Sequence, residues 1–311
     1  YTIIVDALPE LVSIDSSAGS KNKLGKNIDI VATFSKVVAV SGGTPTLKLT
    51  GFTNSGKSGG YEVPYSEGSG TTKLHFIYTV ANGDLSDGLT LGSAMPISAN
   101  KGLANVTMNN ISANTFNGRK IQVDGVPPTI TTAPTISVTG EVTNDGVKYL
   151  KEGSTITVKA TITSADGLSL QGNPGFEFIA DGSTNKTLNL PFTTFEASTK
   201  EITFSKTLDA GDTNGVLTYL NSSYITDAEN IKDTFDNSLL LSGSGSTNPN
   251  ITVDTEAPKT PTLKAIYKNN TETLVSGKKY SNAIKFTLTR AEADSTIKSL
   301  QYSKNGGTTW L

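Results

Sequence analysis

The sequence predicts an all-β fold in which β-sandwich domains follow one another in a linear array. Hydrophobic residues make up 35% of the 311 residues and charged residues 17%, while Gly occurs 30 times. This composition, rich also in Ser, Thr and Asn, is typical of short strands joined by many polar turns. Two further observations support the prediction: apolar and polar residues alternate, and the chain contains an internal repeat of about one domain in length.

Alternating stretches predict the strands. Apolar residues recur at every second position in 28–34, 74–80 and 156–162, and Ile202, Phe204 and Leu208 follow the same pattern with one interruption. Because successive side chains of a strand point to opposite faces, a period of two places these residues on one buried face. Clusters of Gly, Ser and Asn separate the stretches and predict turns. Only residues 227–241 have a weakly helical pattern, which predicts one or two turns within a loop.

An internal repeat divides the chain. Val-Asp followed shortly by Pro occurs three times, with its aspartate at Asp6, Asp124 and Asp254. Each of the two intervals is the size of one β-sandwich domain with loop insertions. We align the sequence of the first interval with that of the second so that Gly25 matches Gly153, and we call this shift the repeat offset. The same shift aligns the alternating stretches of the two intervals. We therefore predict the last strand of a preceding repeat at 1–6, complete domains at 7–124 and 125–254, and the N-terminal half of a further repeat at 255–311.

Charge and residue types argue against several functions. Lys and Arg total 26 and Asp and Glu total 28, so the net charge of -2 provides no basic field for nucleic acid. No apolar run approaches the roughly 20 residues that a membrane span needs. The chain has no Cys and a single His, which excludes disulfides, thiolate metal sites and a His cluster. That residue, His75, lies in an alternating stretch that directs it away from the core, so we predict a solvent-facing strand residue.

Four motifs occur in order between residues 204 and 258. They are Ala210-Gly211-Asp212, Asn214-Gly215, Ile225-Thr226-Asp227-Ala228-Glu229-Asn230, and Val253-Asp254 with Pro258. In this order they resemble the immunoglobulin-like tandem repeats of large bacterial surface adhesins, of the biofilm-associated and RTX-adhesin type. The first interval retains Gly83-Asp84 and Asp87-Gly88, but it lacks the aspartate of the third motif. The resemblance implies immunoglobulin-like β-sandwich domains, export from the cell, and a position on the cell surface.

We therefore expect a non-catalytic spacer, or stalk, of a large extracellular bacterial adhesin. It would contact neighbouring repeats of its own chain and project a distal region towards a surface receptor or glycan. Two alternatives remain open. In the first, the chain self-associates into an extracellular filament or surface layer, because neighbouring subunits complete the partial units at 1–6 and 255–311 with added strands. In the second, it is an accessory module of a secreted polysaccharide-degrading enzyme and binds sugar through Tyr61, Tyr65 and Trp310.

Acidic residues in turns and junctions are candidate calcium ligands. Calcium takes roughly six to eight oxygen ligands, which carboxylates and the carbonyls of Gly-containing loops supply, and the resemblance implies binding between domains. The interpretation that we favour is that Asp and Asn are ordinary turn residues, because no complete calcium-loop spacing occurs. Repetition of the acids between domains also argues against a paired-carboxylate active site. The candidate ligands are Asp6, Asp84, Asp87, Asp124, Asp212, Asp227, Asp254 and Glu256.

Overall fold

The computed structural model describes residues 7–53, 56–92, 97, 102–103, 116–164, 167–243, 245–257, 262–266 and 285–289, and it confirms an all-β fold. The only helix among these residues is a single 3-10 turn at Ala228–Asn230, in agreement with the one or two turns predicted within 227–241. None of the helical segments in the described part of the chain has the length and apolarity that crossing a membrane requires.

The described residues up to position 124 form nine strands in two sheets. The larger sheet is antiparallel throughout and has the order β1-β3-β6-β5-β4-β8. The smaller sheet has the order β2-β9-β7, and its β2 and β9 are parallel. The strands β1 to β9 are Leu11–Ser16, Lys21–Lys23, Asn27–Val38, Thr46–Thr50, Tyr61–Glu67, Thr71–Thr79, Leu85–Ser86, Thr90–Leu91 and Gln122–Asp124.

Thirteen strands follow in the described residues between 125 and 257. Nine of them form one continuous series of hydrogen-bonded neighbours, which we call the second path. Its order is β10-β13-β17-β16-β15-β18-β22-β12-β11, and β12 and β22 are parallel. β19 pairs with β15, β21 pairs with β18, and β14 pairs with β20. The strands β10 to β22 are Thr135–Thr139, Val142–Asn144, Val147–Leu150, Thr155–Thr161, Leu168–Leu170, Gly175–Ala180, Ser183–Glu196, Glu201–Thr207, Gly215–Leu220, Ile225–Thr226, Ile231–Asp233, Ser246–Thr247 and Ile251–Val253.

The buried apolar residues form two separate clusters. One includes residues from 11 to 123 and the other residues from 130 to 253. The alternation predicted from the sequence is confirmed, since the apolar residues of 28–34 and 156–162 that recur at every second position are all buried. Phe176 is at the centre of the second cluster, and its ring centroid lies 4.9 Å from that of Phe178 and 5.3 Å from that of Tyr224. Residues before and after positions 124–129 therefore pack around different cores.

The repeat offset recurs in the hydrogen bonds. Gly25 donates its N–H to the Val80 carbonyl at 2.9 Å, and Gly153 donates to the Leu208 carbonyl at 2.8 Å. Both glycines have positive φ, 76° and 83°, a conformation that glycine adopts without steric cost. Strand pairing repeats as well, because β3 lies between β1 and β6 as β13 lies between β10 and β17. The two halves share this arrangement of backbone.

Beyond residue 257 the structure describes two strands. β23, Thr262–Ile266, pairs antiparallel with β24, Lys285–Thr289. The strand predicted at 1–6, the remainder of the half-domain predicted at 255–311, and Trp310 lie outside the described residues.

Candidate functional site

The two halves meet through a loop that follows β20. Residues 233–240, from the end of β20 through this loop, contact residues 21–24 of the first half and residues 124–128 at the boundary between the halves, and we call these three segments the junction. β2 supplies the first of them. Because side chains alternate along a strand, Asn22 points into the first half while Lys21 and Lys23 share the opposite face, towards the loop. The local alternation of β2 thus places two cations at the junction.

Asn237 bridges the two halves. Its side chain is buried, with 3% of its surface exposed. The side-chain Oδ1 accepts the Leu24 N–H at 2.9 Å, and Nδ2 donates to the backbone carbonyl of Asp124 at 3.0 Å. Nδ2 also donates to Asp233 Oδ2 at 2.8 Å. A buried amide that loses such partners costs free energy, so these bonds favour one relative placement of the segments.

The carboxylate of Asp233 holds the loop in shape. Its Oδ1 accepts the N–H groups of Phe235 at 2.8 Å and Asn237 at 2.9 Å, and its Oδ2 accepts the Asn237 side chain. Between them, Asp236 has a φ of 71°, in the left-handed region that Asp tolerates better than most residues. Asp233 therefore orients Asn237 through bonds within the loop itself.

Charged side chains pair at the exposed edge of the junction, which we call its rim. Asp236 Oδ2 lies 2.8 Å from Lys23 Nζ, and Asp236 Oδ1 lies 2.7 Å from Lys232 Nζ. The hydrogen bond from Lys23, together with that from Lys232, lowers the pKa of Asp236 from 3.8 to about 2. The groups are well exposed, so solvent screens these ion pairs and they add little to stability. Ion pairs of this kind determine which surfaces of the two halves come together, and they contribute less to the strength of the contact.

A further lysine of β2, Lys21, contacts the loop at the same rim. Lys21 Nζ donates to the Thr234 carbonyl at 3.0 Å and lies 5.1 Å from the centroid of the Phe235 ring. An ammonium at this distance from an aromatic ring is attracted by its negative face. Together Lys21 and Lys23 make polar contacts to successive parts of the loop.

The linker between the halves is hydrogen-bonded at both ends. Gly125 donates its N–H to the Asp84 carbonyl at 2.7 Å, and Leu240 donates to the Pro128 carbonyl at 2.9 Å. A Cβ at Gly125 would lie 2.0 Å from the Ala81 carbonyl oxygen, so only glycine fits this close approach. Few residues lie between the hydrogen-bonded positions Gly125 and Pro128, which limits the conformational freedom of the linker.

Two of the predicted calcium ligands lie close to the linker but have different partners. β7 and β9 are neighbours, and the backbones of Asp84 and Asp124 are therefore close, with both side chains buried. Asp84 Oδ2 accepts from Lys57 Nζ at 2.6 Å, whereas Asp124 Oδ1 accepts the Val126 N–H at 2.7 Å. Each carboxylate stabilises the turn in which it lies.

Asp254 and Asp212 repeat these roles in the second half. Asp254 Oδ1 accepts the Glu256 N–H at 3.2 Å, as Asp124 accepts the N–H two residues ahead in its own turn. Asp212 Oδ2 accepts the Asp209 N–H at 2.8 Å and lies 3.2 Å from Lys206 Nζ. Both aspartates accept backbone N–H groups, which is the behaviour expected of turn residues.

The remaining candidates are spread over the surface. Asp87 accepts from Lys120 and Gln122, and these bonds, chiefly that of Lys120, lower its pKa. Asp227 precedes the 3-10 turn with a φ of 54° and forms no side-chain cap; Asp6 lies outside the described residues. Within the described ranges, no group of three or more His, Asp or Glu side chains could hold a metal ion. Calcium at these positions stays a prediction.

The predicted surface residues have partners that sequence reasoning missed. His75 points outward from β6 and is partly exposed, but its Nδ1 lies 2.9 Å from the Asp29 carboxylate. The Tyr65 hydroxyl accepts the Ser69 N–H at 2.8 Å, and the Tyr61 ring lies 4.4 Å from Lys57 Nζ. Both tyrosines thus contact groups of their own half.

The junction itself was not predicted from the sequence. The segment from Asp233 to Asn237 contains Asp at both positions 233 and 236. An Asp followed four residues later by Asn is a signal for a loop closed by its own side chains, but it does not indicate the partner. Comparison with known proteins adds no identification, since no family model matches the chain and no curated protein matches it significantly.

Proposed function

We propose that this chain is a non-catalytic spacer of a large extracellular bacterial surface protein. In this proposal immunoglobulin-like β-sandwich domains at 7–124 and 125–254 follow one another and hold a distal binding region away from the cell. The observation that carries the proposal is the junction, in which the buried side chain of Asn237 bonds to Leu24 and Asp124 across two separate cores.

A spacer needs stiff connections more than it needs a pocket. Each half has its own core, so the chain can grow longer by adding units without enlarging any core. The linker is anchored by Gly125 and Pro128, and the bonds of Asn237 oppose bending beside it. Buried bonds of this kind transmit orientation from one unit to the next. The resemblance to adhesin repeats supports the surface location.

The strands at the sheet edges favour a monomeric chain over one that polymerises. Among the described strands, β1 lies at one edge of the six-stranded sheet and carries a bulge between Leu11 and Ser13, with Val12 exposed beside it. At the far end of the second path, β11 has only three residues. Bulges and short strands at an edge hinder the addition of a further strand from another chain. This supports the spacer over a filament assembled by strand complementation.

Light scattering and small-angle X-ray scattering on residues 1–311 test the proposal. We expect a monomeric, elongated particle whose mass does not change with concentration, and no binding to a panel of polysaccharides. Ordered polymers would overturn the proposal in favour of the filament. Saturable sugar binding that Tyr61→Ala abolishes, while Tyr149→Ala on the exposed face of β12 preserves it, would instead favour the accessory module.

A further inference from the structure

A partly buried Lys–Asp–Tyr cluster lies in the first half, and its side-chain contacts are distinct from those of the junction. Lys57 Nζ lies 2.6 Å from Asp84 Oδ2, and their side chains are 18% and 2% exposed. The same Oδ2 accepts the Tyr78 hydroxyl, and it accepts the Ala81 N–H at 2.8 Å. The cluster therefore brings an amine against a carboxyl group that is 27 residues away along the chain.

Aromatic rings surround the amine. Lys57 Nζ lies 4.4 Å from the ring centroid of Tyr61, 5.0 Å from that of Tyr78 and 5.6 Å from that of Phe52. Phe52 and Tyr78 are buried, so they keep water from much of the pair.

We propose that Lys57 and Asp84 join in an intramolecular isopeptide bond. The Lys57 ammonium passes one proton to the carboxyl group, and the nitrogen lone pair attacks Cγ of Asp84. The N–C bond forms and the bond from Cγ to Oδ1 breaks. Oδ1 leaves as water with the transferred proton and a second proton from the nitrogen. The products are one amide and one water molecule, so no oxidant or cofactor is required. The inference is independent of the spacer function.

The surrounding donors fit this reaction. Oδ2 retains its bond to Cγ and carries the negative charge of the tetrahedral intermediate, where the Tyr78 hydroxyl and the Ala81 N–H already donate to it. Burial, and the hydrogen bond to Asp84, raise the pKa of Tyr78, so its hydroxyl keeps the proton that it donates. Because Oδ2 is bonded to Cγ, a nitrogen 2.6 Å from Oδ2 needs only a short movement to attack.

The second half contains a matched site that lacks these features. Asp212 is the counterpart of Asp84 at the repeat offset, and it accepts the Asp209 N–H as Asp84 accepts the corresponding N–H. At the position of Tyr78 stands Lys206, whose Nζ lies 3.2 Å from Asp212 Oδ2, with side chains 22% and 19% exposed. This pair has no tyrosine at the position of Tyr78, and Asp212 is more exposed than Asp84, so we expect no bond there.

The intact mass of the folded 311-residue chain tests the proposal. We expect the parent chain to be lighter than its sequence by one water molecule. The deficit should persist in Lys206→Arg and disappear in Lys57→Arg and in Asp84→Ala. In Tyr78→Phe we expect the bond to form roughly 100-fold more slowly after refolding, because the hydroxyl no longer donates to Oδ2.

Tryptic digestion locates the bond. Trypsin does not cleave after an acylated lysine, so residues 49–73 should remain one peptide and should be linked to residues 74–101. A parent chain with its full sequence mass, cleaved after Lys57, overturns the proposal. A deficit that persists in Lys57→Arg overturns it as well, since the water would then have been lost elsewhere. These results do not depend on whether Asp84→Ala folds.

Discussion

Replacing Asn237 by Ala should loosen the junction while leaving both cores intact. The substitution removes the hydrogen bond from the Leu24 N–H and the bond to the Asp124 carbonyl, both of which cross between the halves. A neutral hydrogen bond contributes about 1 kcal/mol net, so the junction should lose about 2 kcal/mol. The side chain lies between the two hydrophobic clusters and belongs to neither, so packing within each cluster should not change.

Amide hydrogen exchange measures this loss directly. The Leu24 N–H donates to Asn237 Oδ1, and about 2 kcal/mol corresponds to roughly 30-fold faster exchange if opening of the junction exposes it. The Gly153 N–H, which bonds to Leu208 within the second half, provides the internal control and should exchange at an unchanged rate. A rise of less than threefold at the Leu24 amide would show that Asn237 does not hold the junction closed, and an equal rise at Gly153 would show that the substitution destabilises the whole chain.

Three further predictions concern the rim, the linker and the second core. Because the pKa of Asp236 is lowered from 3.8 to about 2, its stabilising contribution is present above pH 3.8 and is lost as the pH falls through about 2. Urea titrations of the parent and of Asp236→Asn should therefore converge only below about pH 2, and a constant difference would contradict this. Gly125→Ala should destabilise by about 2 kcal/mol, since its Cβ would meet the Ala81 carbonyl, whereas Gly56→Ala meets no atom within 4 Å and should be nearly neutral in the same assay. Phe176→Ala should cost about 4 kcal/mol in urea unfolding, and a loss under about 1 kcal/mol would contradict its central position.

The strands could be predicted because their signal is local. Ile28 and Ile30 are buried on β3, and their counterparts at the repeat offset, Ile156 and Val158, are buried on β13. A period of two identifies such residues from the sequence alone. The repeat then predicts that the two halves pair their strands alike, and the hydrogen bonds of the corresponding glycines recur at the same offset.

The junction could not be predicted because its partners are distant in sequence. Asn237 contacts Leu24 and Asp124, which lie 213 and 113 residues away. Their contact depends on the placement of the two halves, and no local pattern encodes this. Near Asn237, the carboxylate of Asp233 closes the loop and that of Asp236 pairs with Lys23. An aspartate gives the same sequence signal whether it binds calcium or stabilises a turn. Only the position of its hydrogen-bond donors in the structure distinguishes the two roles.

The central claim is that the junction keeps the two halves in one orientation. The chain contains no Cys, so spin labels can be attached through Val37→Cys and Val142→Cys, two exposed positions on different halves. Pulsed electron paramagnetic resonance should then give one narrow distance distribution, which Asn237→Ala broadens and the exposed control Asn185→Ala leaves unchanged. A distribution that is already broad in the labelled parent, and unaffected by Asn237→Ala, would contradict the account.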